Sequence, residues 1–288
     1  MGDNKNGIIT NAKTLSLLFN LAIASARLRK IIIKEPKDTI EISPQLHIML
    51  SSDKGLFKST ILFQIARMFK TNPYNELSDA SLVGTIDSKV MQFVPGASWD
   101  ARNGVLILDE FIFFDSHNTL KGIVNNLLQL TEREQYVDKR IARFSSTLDL
   151  KEGDLWLKVK DGRIQCKTSF SLIIGTMSKL NFRNPKLDAL KSRCIPIVWL
   201  PSWELVMAIS EGNKIFKYED LLGDWKKCKT IITIKEKDYL HIRDLVKSRC
   251  SDITMFMRCI NDCCRAFAIL KKHDNELYNL ILDLKLNN

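Results

Sequence analysis

No stretch of the chain reaches the roughly eighteen uninterrupted apolar residues that a helix needs to cross a bilayer, so no membrane-spanning segment is expected. The opening residues, Met1 to Lys13, lack the basic-then-apolar pattern of an export signal. Asn6 stands where a myristoylation signal following Met-Gly requires Ser or Thr. Seven cysteines, an odd number without repeating spacing, make no disulfide framework and point to a reducing, cytoplasmic location. Cys259 and Cys263 have a spacing that can hold a metal, but no second Cys or His pair completes the set nearby, so core packing is expected instead. Internal repeats and low-complexity segments are also missing, which excludes solenoids and long disordered arms.

What is present suits a protein with a sizeable core, because 45% of the 288 residues are hydrophobic and 26% are charged. The balance of 43 Lys+Arg against 33 Asp+Glu gives a net charge of +10. That excess favours polyanionic partners, nucleic acid first and an anionic membrane surface second.

Apolar spacing predicts an N-terminal helix through Leu15, Leu18, Phe19, Ala22 and Ile23, running to about Lys30. Short apolar runs at 46–50, 104–110, 169–177 and 194–200 read as buried strands. Between them, helices are expected from Ser59, with Ile61, Leu62, Ile65, Ala66 and Phe69 on one stripe, and over 117–135, with Leu120, Ile123, Val124, Leu127, Leu128 and Leu130. This alternation predicts an α/β fold with a helix-flanked parallel sheet. After Pro201 the pattern becomes helical, most clearly over 253–270, which places a boundary near 200–205.

Residues 155–168, "LWLKVKDGRIQCKT", form a hairpin pattern, since Asp161-Gly162 suits a two-residue type I′ turn. Pairing across that turn sets Lys160 against Arg163, Lys158 against Gln165 and Trp156 against Lys167, all on one face. Leu157, Val159, Ile164 and Cys166 take the other. A face of four cations and a tryptophan can grip phosphates and stack a base. A shorter hairpin is read at 82–94, with Lys89 near its tip, and the basic cluster 226–237 reads as a solvated edge or a strand.

Two further stretches carry chemistry. Residues 52–60, "SDKGLFKST", lie between a strand and a helix, where successive backbone N–H groups and the helix N-terminus can face an anion. The usual phosphate-loop pattern is G-x-x-x-x-G-K-[ST]; here Gly55, Lys58, Ser59 and Thr60 fit, while Ser52 and Phe57 replace its two glycines. The second stretch, "VLILDE", puts Asp109 and Glu110 at the end of a buried strand. Carboxylates there are costly unless they hold a cation or orient a water.

In order and spacing these stretches resemble the AAA+ ATPases, and among them the minichromosome-maintenance (MCM) helicase branch, whose phosphate loop reads roughly G-D-P-G-x-A-K-S. "SDKGLFKS" follows it at Asp53, Gly55, Lys58 and Ser59, "PGASWDARNGVLILDE" resembles the approach to its acidic pair, and "ALKSRC" resembles its L-L-S-R-F. The resemblance covers about residues 46–200. It implies a nucleotide-binding core at 41–203, preceded by a helical extension (1–40) and followed by a helical lid domain (204–288), with β-hairpins inserted in the core.

The resemblance further implies that ATP lies against Asp53, Lys54, Gly55, Leu56, Phe57, Lys58, Ser59 and Thr60, with Mg2+ on Ser59 and Asp109. Glu110 would orient the attacking water, and Arg193 would reach a neighbouring subunit's nucleotide. Thr176 or Ser178 would stand in for the family's polar sensor, whose place Met177 takes. Arg258 would replace an arginine that aligns with Thr254. The 156–167 hairpin would contact DNA through Trp156, Lys158, Lys160, Arg163 and Lys167. The implied protein is a DNA-translocating or remodelling ATPase in a homo-oligomeric, hexameric ring. Phe57, Ser52 and Met177 motivate a rival reading, a DNA-binding module with this shape and no turnover. A third reading is a remodeller of proteins.

Overall fold

The computed structural model describes residues 8–35, 38–75, 77–87, 89, 92–109, 118–132, 136–140, 147–177, 185–222 and 231–287. The chain begins β1 (Ile8–Ile9), α1 (Ala12–Ser25), β2 (Lys30–Lys34), β3 (Thr39–Ile42), β4 (His47–Ser52) and α2 (Lys58–Met68). It continues through α3 (Asp79–Val83), β5 (Gly84–Asp87), β6 (Gln92–Pro95), α4 (Ala97–Asp100), β7 (Val105–Leu108) and α5 (Asn118–Leu130). Next come β8 (Tyr136–Arg140), β9 (Leu148–Glu152), β10 (Leu155–Lys160), β11 (Arg163–Lys167), β12 (Ser171–Met177), α6 (Pro185–Arg193) and β13 (Cys194–Trp199). The last part holds α7 (Trp203–Ser210), β14 (Ile231–Ile234), α8 (Glu236–Lys247), α9 (Ile253–Leu270) and α10 (Asn275–Leu286).

The four apolar runs become neighbours in a five-stranded parallel sheet of order β1-β13-β4-β12-β7. Both faces of this sheet are covered, so β4 and β7 are buried at every position and β12 at all but Met177. Alternate residues feed two separate cores. Ile48, Leu50, Ile107 and Ile173 join α1, α2 and α8 to α10 on one face. Met49, Leu106, Leu108 and Ile174 meet α5 and the β8–β11 sheet on the other. The α2 stripe is seated as its spacing predicts, with Ile61, Leu62, Ile65 and Ala66 fully buried. In α5, Ile123, Val124, Leu127 and Leu130 are buried and Leu128 is partly so; the side chain of Leu120 lies outside those described.

The N-terminal helix stops at Ser25, short of the expected Lys30, and residues 1–40 are not simply a helical extension. Ile31, Ile32 and Ile33 are β-branched, which suits a pleated strand better than a helix, and they form β2 with alternating burial. Strand β2 pairs antiparallel with β3 and parallel with β14, the strand inside the 226–237 cluster; residues 226–230 lie outside the described residues. Strand β1 pairs with β13 in the main sheet. The chain before residue 41 therefore knits the C-terminal region to the core. No packing seam marks the boundary expected at 203–204, because α8, α9 and α10 share their hydrophobic core with α1, α2 and the sheet.

Both predicted hairpins form. Strands β5 and β6 pair with Asp87 opposite Gln92, and Lys89 lies in the turn between them. Strands β10 and β11 pair in the predicted register, Trp156 with Lys167, Lys158 with Gln165 and Lys160 with Arg163. They are the middle of a four-stranded sheet of order β8-β11-β10-β9.

Candidate phosphate site and basic sheet face

The loop after β4 leaves the carboxyl edge of the sheet at its centre, where neighbouring strands connect in opposite directions. Ligands of open α/β sheets bind in such a crevice. Gly55 has φ +87° and Phe57 φ +61°, two left-handed residues that fold the backbone into a concave turn. The indole Nε1 of Trp199, at the end of β13, donates to the Leu56 carbonyl at 2.9 Å and anchors the turn from behind. Helix α2 begins without a side-chain cap. The first N–H groups of α2, Lys58 to Thr60, have no partner within the helix, as at any helix N-terminus. They form a set of donors at which an anion is stabilised.

Lys58 is buried although it sits on this loop, and its Nζ lies 4.0 Å from Asp109 Oδ1. Asp109 follows β7 and is equally buried. Its position is fixed by a feature the sequence did not announce: Tyr74 bridges β7 in parallel, donating from its N–H to Ile107 O at 2.9 Å. The Tyr74 carbonyl in turn accepts the Asp109 N–H at 3.0 Å. Between the two charged groups runs Gly175 of β12, where a side chain would meet both. Ser52, in the place of the first loop glycine, keeps its Oγ buried without a hydrogen-bond partner. Asp53, Lys54 and Thr60 are exposed, and Ser59 and Leu56 are half-buried. Phe57 packs part of its surface against the main core.

At the end of β12, Thr176 is buried beside Ser51 while Met177 is 44% exposed and presents its thioether to solvent. Glu110 and Ser178 lie outside the described residues. Lys58, Ser59, Asp109 and Thr176 thus share one edge of the sheet.

Arg193 and Arg258 do not join them. Arg193 immediately precedes β13, whose first residue pairs with His47 at the start of β4, so it lies at the opposite edge of the sheet from its own loop. Its guanidinium donates to the Ala189 carbonyl at 2.9 Å and pairs with Glu132. Arg258 lines the same cavity of about 330 Å³ as Arg193 and Glu132. Burial, then the Arg193 charge, depress its pKa. Both arginines therefore line a cavity at the edge of the sheet opposite the loop after β4. Thr254 lies in the first turn of α9, which Asp252 caps: the Thr254 N–H and Oγ1 both donate to Asp252 Oδ1 at 2.7 Å.

Beneath that cavity is a buried ionic group. Asp262 accepts from Arg265 at 2.6 Å and pairs with Lys285, and Arg265 also donates to the Ser43 carbonyl at 2.8 Å. Burial works to raise the Asp262 pKa, but the two cations outweigh it and hold the carboxyl below its usual range. His47 accepts the Leu172 N–H on Nδ1 at 3.0 Å; burial, reinforced by Arg265, lowers its pKa to about 3. Cys259, Cys263 and Cys264 are buried in the α9 core, as packing residues should be, and burial raises the Cys259 thiol to about 12. Among the described residues no cluster of three or more His, Cys, Asp or Glu is placed to hold a metal, and no helix is long and apolar enough to cross a membrane.

The β10–β11 hairpin turns Leu155, Leu157, Val159, Ile164 and Cys166 into the core and Trp156, Lys158, Lys160, Arg163, Gln165 and Lys167 outward. The flanking strands extend this outward face with Tyr136, Asp138 and Arg140 on one side and Asp149 and Lys151 on the other. Sequence reasoning missed these because 136–140 and 148–152 carry no strong hairpin signal of their own. Lys158 Nζ sits 5.3 Å from the centre of the Trp156 ring. Arg163 grips Asp138 with two hydrogen bonds, at 3.0 and 2.7 Å.

No family model matches the chain, and no curated protein matches it either.

Proposed function

We propose that this chain is a nucleoside triphosphatase with an AAA+ type core, similar to the MCM branch, that acts on DNA as a homo-oligomeric ring. What carries the reading is the pairing of Lys58 with Asp109, 4.0 Å apart and buried, at the N-terminus of α2, whose first N–H groups have no partner within the helix. Those residues fit a triphosphate: helix N-terminal amides and an ammonium for phosphate oxygens, with the Ser59 hydroxyl and the Asp109 carboxylate for Mg2+. Bound there, ATP with Mg2+ would supply the transferable phosphoryl group and the metal that neutralises its charge. The loop amides would orient the anion, Lys58 would hold the outer phosphates, and Glu110 would polarise a water. Arg193 and Arg258, at the far edge of the sheet, suit contact with a neighbouring copy's nucleotide. The basic sheet face supplies the contact to DNA.

The decisive measurement is ATP hydrolysis with and without single-stranded DNA, in the wild type, Lys58→Ala and Glu110→Gln. Stimulation by DNA that both substitutions abolish is the expected result. Hydrolysis indifferent to both substitutions sinks the motor. Three observations favour a second reading, a DNA-binding protein of the same shape that binds nucleotide without turning it over. Phe57 is held in a left-handed conformation, Met177 is exposed at the sensor position, and Arg193 is engaged by Glu132. Nucleotide binding by calorimetry without hydrolysis would select it.

A further inference from the structure

We propose that the outward face of the sheet β8-β11-β10-β9 binds single-stranded nucleic acid by stacking an unpaired base on the Tyr136–Trp156 pair. This rests on the reading that nucleic acid is the partner, but not on nucleotide hydrolysis or on a ring, and it assigns recognition to a sheet surface and not to a hairpin tip.

The register lays out the outward face in rows. One row runs Tyr136, Lys167, Trp156, Lys151 across the four strands, and the next runs Asp138, Gln165, Lys158, Asp149. Strands β8 and β10 are not neighbours; β11 lies between them, so their backbones are separated by about 10 Å. The Tyr136 and Trp156 rings nevertheless meet at 5.7 Å, tilted by 55°, which requires both to lean over β11 towards each other. Side-chain hydrogen bonds of Tyr136 to Asp138 and Gln165 help to orient its ring. The core lies on the other side of the sheet, and both rings stay half exposed on the solvent side. An aromatic pair tilted in this way offers an open ring surface on which a flat, apolar solute can stack.

Charge selects the solute. The face carries Arg140, Lys151, Lys158, Lys160, Arg163 and Lys167 against two carboxylates, Asp138 and Asp149. Asp138 is already occupied by Arg163 and by Gln165 at 3.2 Å, and Lys158 lies against the Trp156 ring. A stacking surface bordered by cations matches an exposed base with flanking phosphates. An acidic polypeptide would use the cations and leave the rings idle; a duplex keeps its bases stacked and would do the same.

Fluorescence anisotropy with a labelled oligothymidylate tests this, with an abasic oligomer of equal length as control. Trp156→Ala and Tyr136→Ala should weaken oligothymidylate binding by roughly ten- to a hundredfold, the range for losing one stacked base. Trp156→Phe should retain most of the affinity. The abasic oligomer should bind weakly, and equally to the wild type and the aromatic variants. Lys158→Gln should lower the salt slope by about one contact without abolishing the base dependence. Unchanged binding by both alanine variants, at unchanged melting temperature, overturns the platform while leaving nucleic acid as the partner. Equal affinity for base-containing and abasic oligomers, or for an acidic polypeptide, also overturns it. A wild type that binds no oligonucleotide removes both the platform and the nucleic-acid reading. Should Lys58→Ala abolish nucleotide binding yet keep the stacking signature, the platform stands apart from hydrolysis.

Discussion

A methyl group added at position 175 would lie 2.6 Å from Leu62 Cδ1, 3.0 Å from Asp109 Oδ1 and 3.3 Å from Lys58 Cδ. Glycine here is a matter of space, since it lets β12 pass between the two charged side chains of the site. Gly175→Ala should cost about 1–3 kcal/mol of stability, as over-packing does, and should weaken nucleotide binding by displacing Lys58 from Asp109. Thermal melting and calorimetry read the two effects separately. At position 57 the constraint is conformational. A non-glycine residue with φ +61° carries about 1–2 kcal/mol of strain, which glycine does not. Both Phe57→Ala and Phe57→Gly lose the ring's packing against the core, but only the second relieves the backbone. Chemical denaturation should therefore rank Gly above Ala by about 1 kcal/mol, the reverse of their order inside a helix. His47 sets a pH dependence. Its folded pKa of about 3 lies below the unfolded value near 6.5, so between those values the unfolded chain binds the extra proton. Stability is then full above about pH 6.5 and falls as pH drops towards 3, by about 2 kcal/mol between pH 7 and pH 5 from this group. Denaturation of His47→Gln at the two pH values should show a correspondingly flatter slope.

Among the elements, the hairpin β10–β11 was legible because an Asp-Gly turn fixes the register and alternation then fixes the faces. Its flanking strands were not, since Tyr136 and Lys151 reach that face only through pairing with residues distant in sequence. The same holds for β2. A run of apolar residues after a helix reads as more helix until a partner strand is known, and the partners of β2 are β3 and the remote β14. Helix α6 ends in Arg193, whose guanidinium is held by Glu132 at the end of α5. If Arg193 serves a neighbour, this contact competes with that service. Glu132→Gln should then raise the hydrolysis rate of the assembled protein; a level rate argues against the competition, and a fall argues that the ion pair supports the placement of Arg193.

For the molecule as a whole, one hydrophobic cluster draws residues from all three expected parts, so they should unfold together. Leu18 and Phe19 of α1, Ile65 of α2, Ile197 of β13 and Ile260 of α9 belong to a single cluster. Thermal unfolding followed by far-ultraviolet circular dichroism and by tryptophan fluorescence should give coincident single transitions. A fragment ending at residue 203 should fail to fold, because it would expose the face that α8 to α10 cover. Ring action carries its own test at this scale. Arg193→Ala and Lys58→Ala subunits should each be inactive alone, yet an equimolar mixture should recover activity, since roughly a quarter of head-to-tail interfaces then pair an intact loop with an intact Arg193. No recovery on mixing would place the arginine's role within its own chain.

The sequence by itself determined the parallel strands, the amphipathic helices between them, the placement of Lys58 and Ser59 where a loop meets a helix, and the two faces of the basic hairpin. Each is written in residues close together along the chain, where periodicity and turn chemistry act. Only the tertiary structure decided that Lys58 and Asp109 lie 4.0 Å apart, and that Tyr74 and Trp199 brace the loop and the acidic strand. It also placed Arg193 and Arg258 together at the opposite edge and brought Tyr136 to Trp156. Those facts depend on which strands become neighbours, and strand order is settled by burying both faces of the sheet at once, a condition no local stretch of sequence contains.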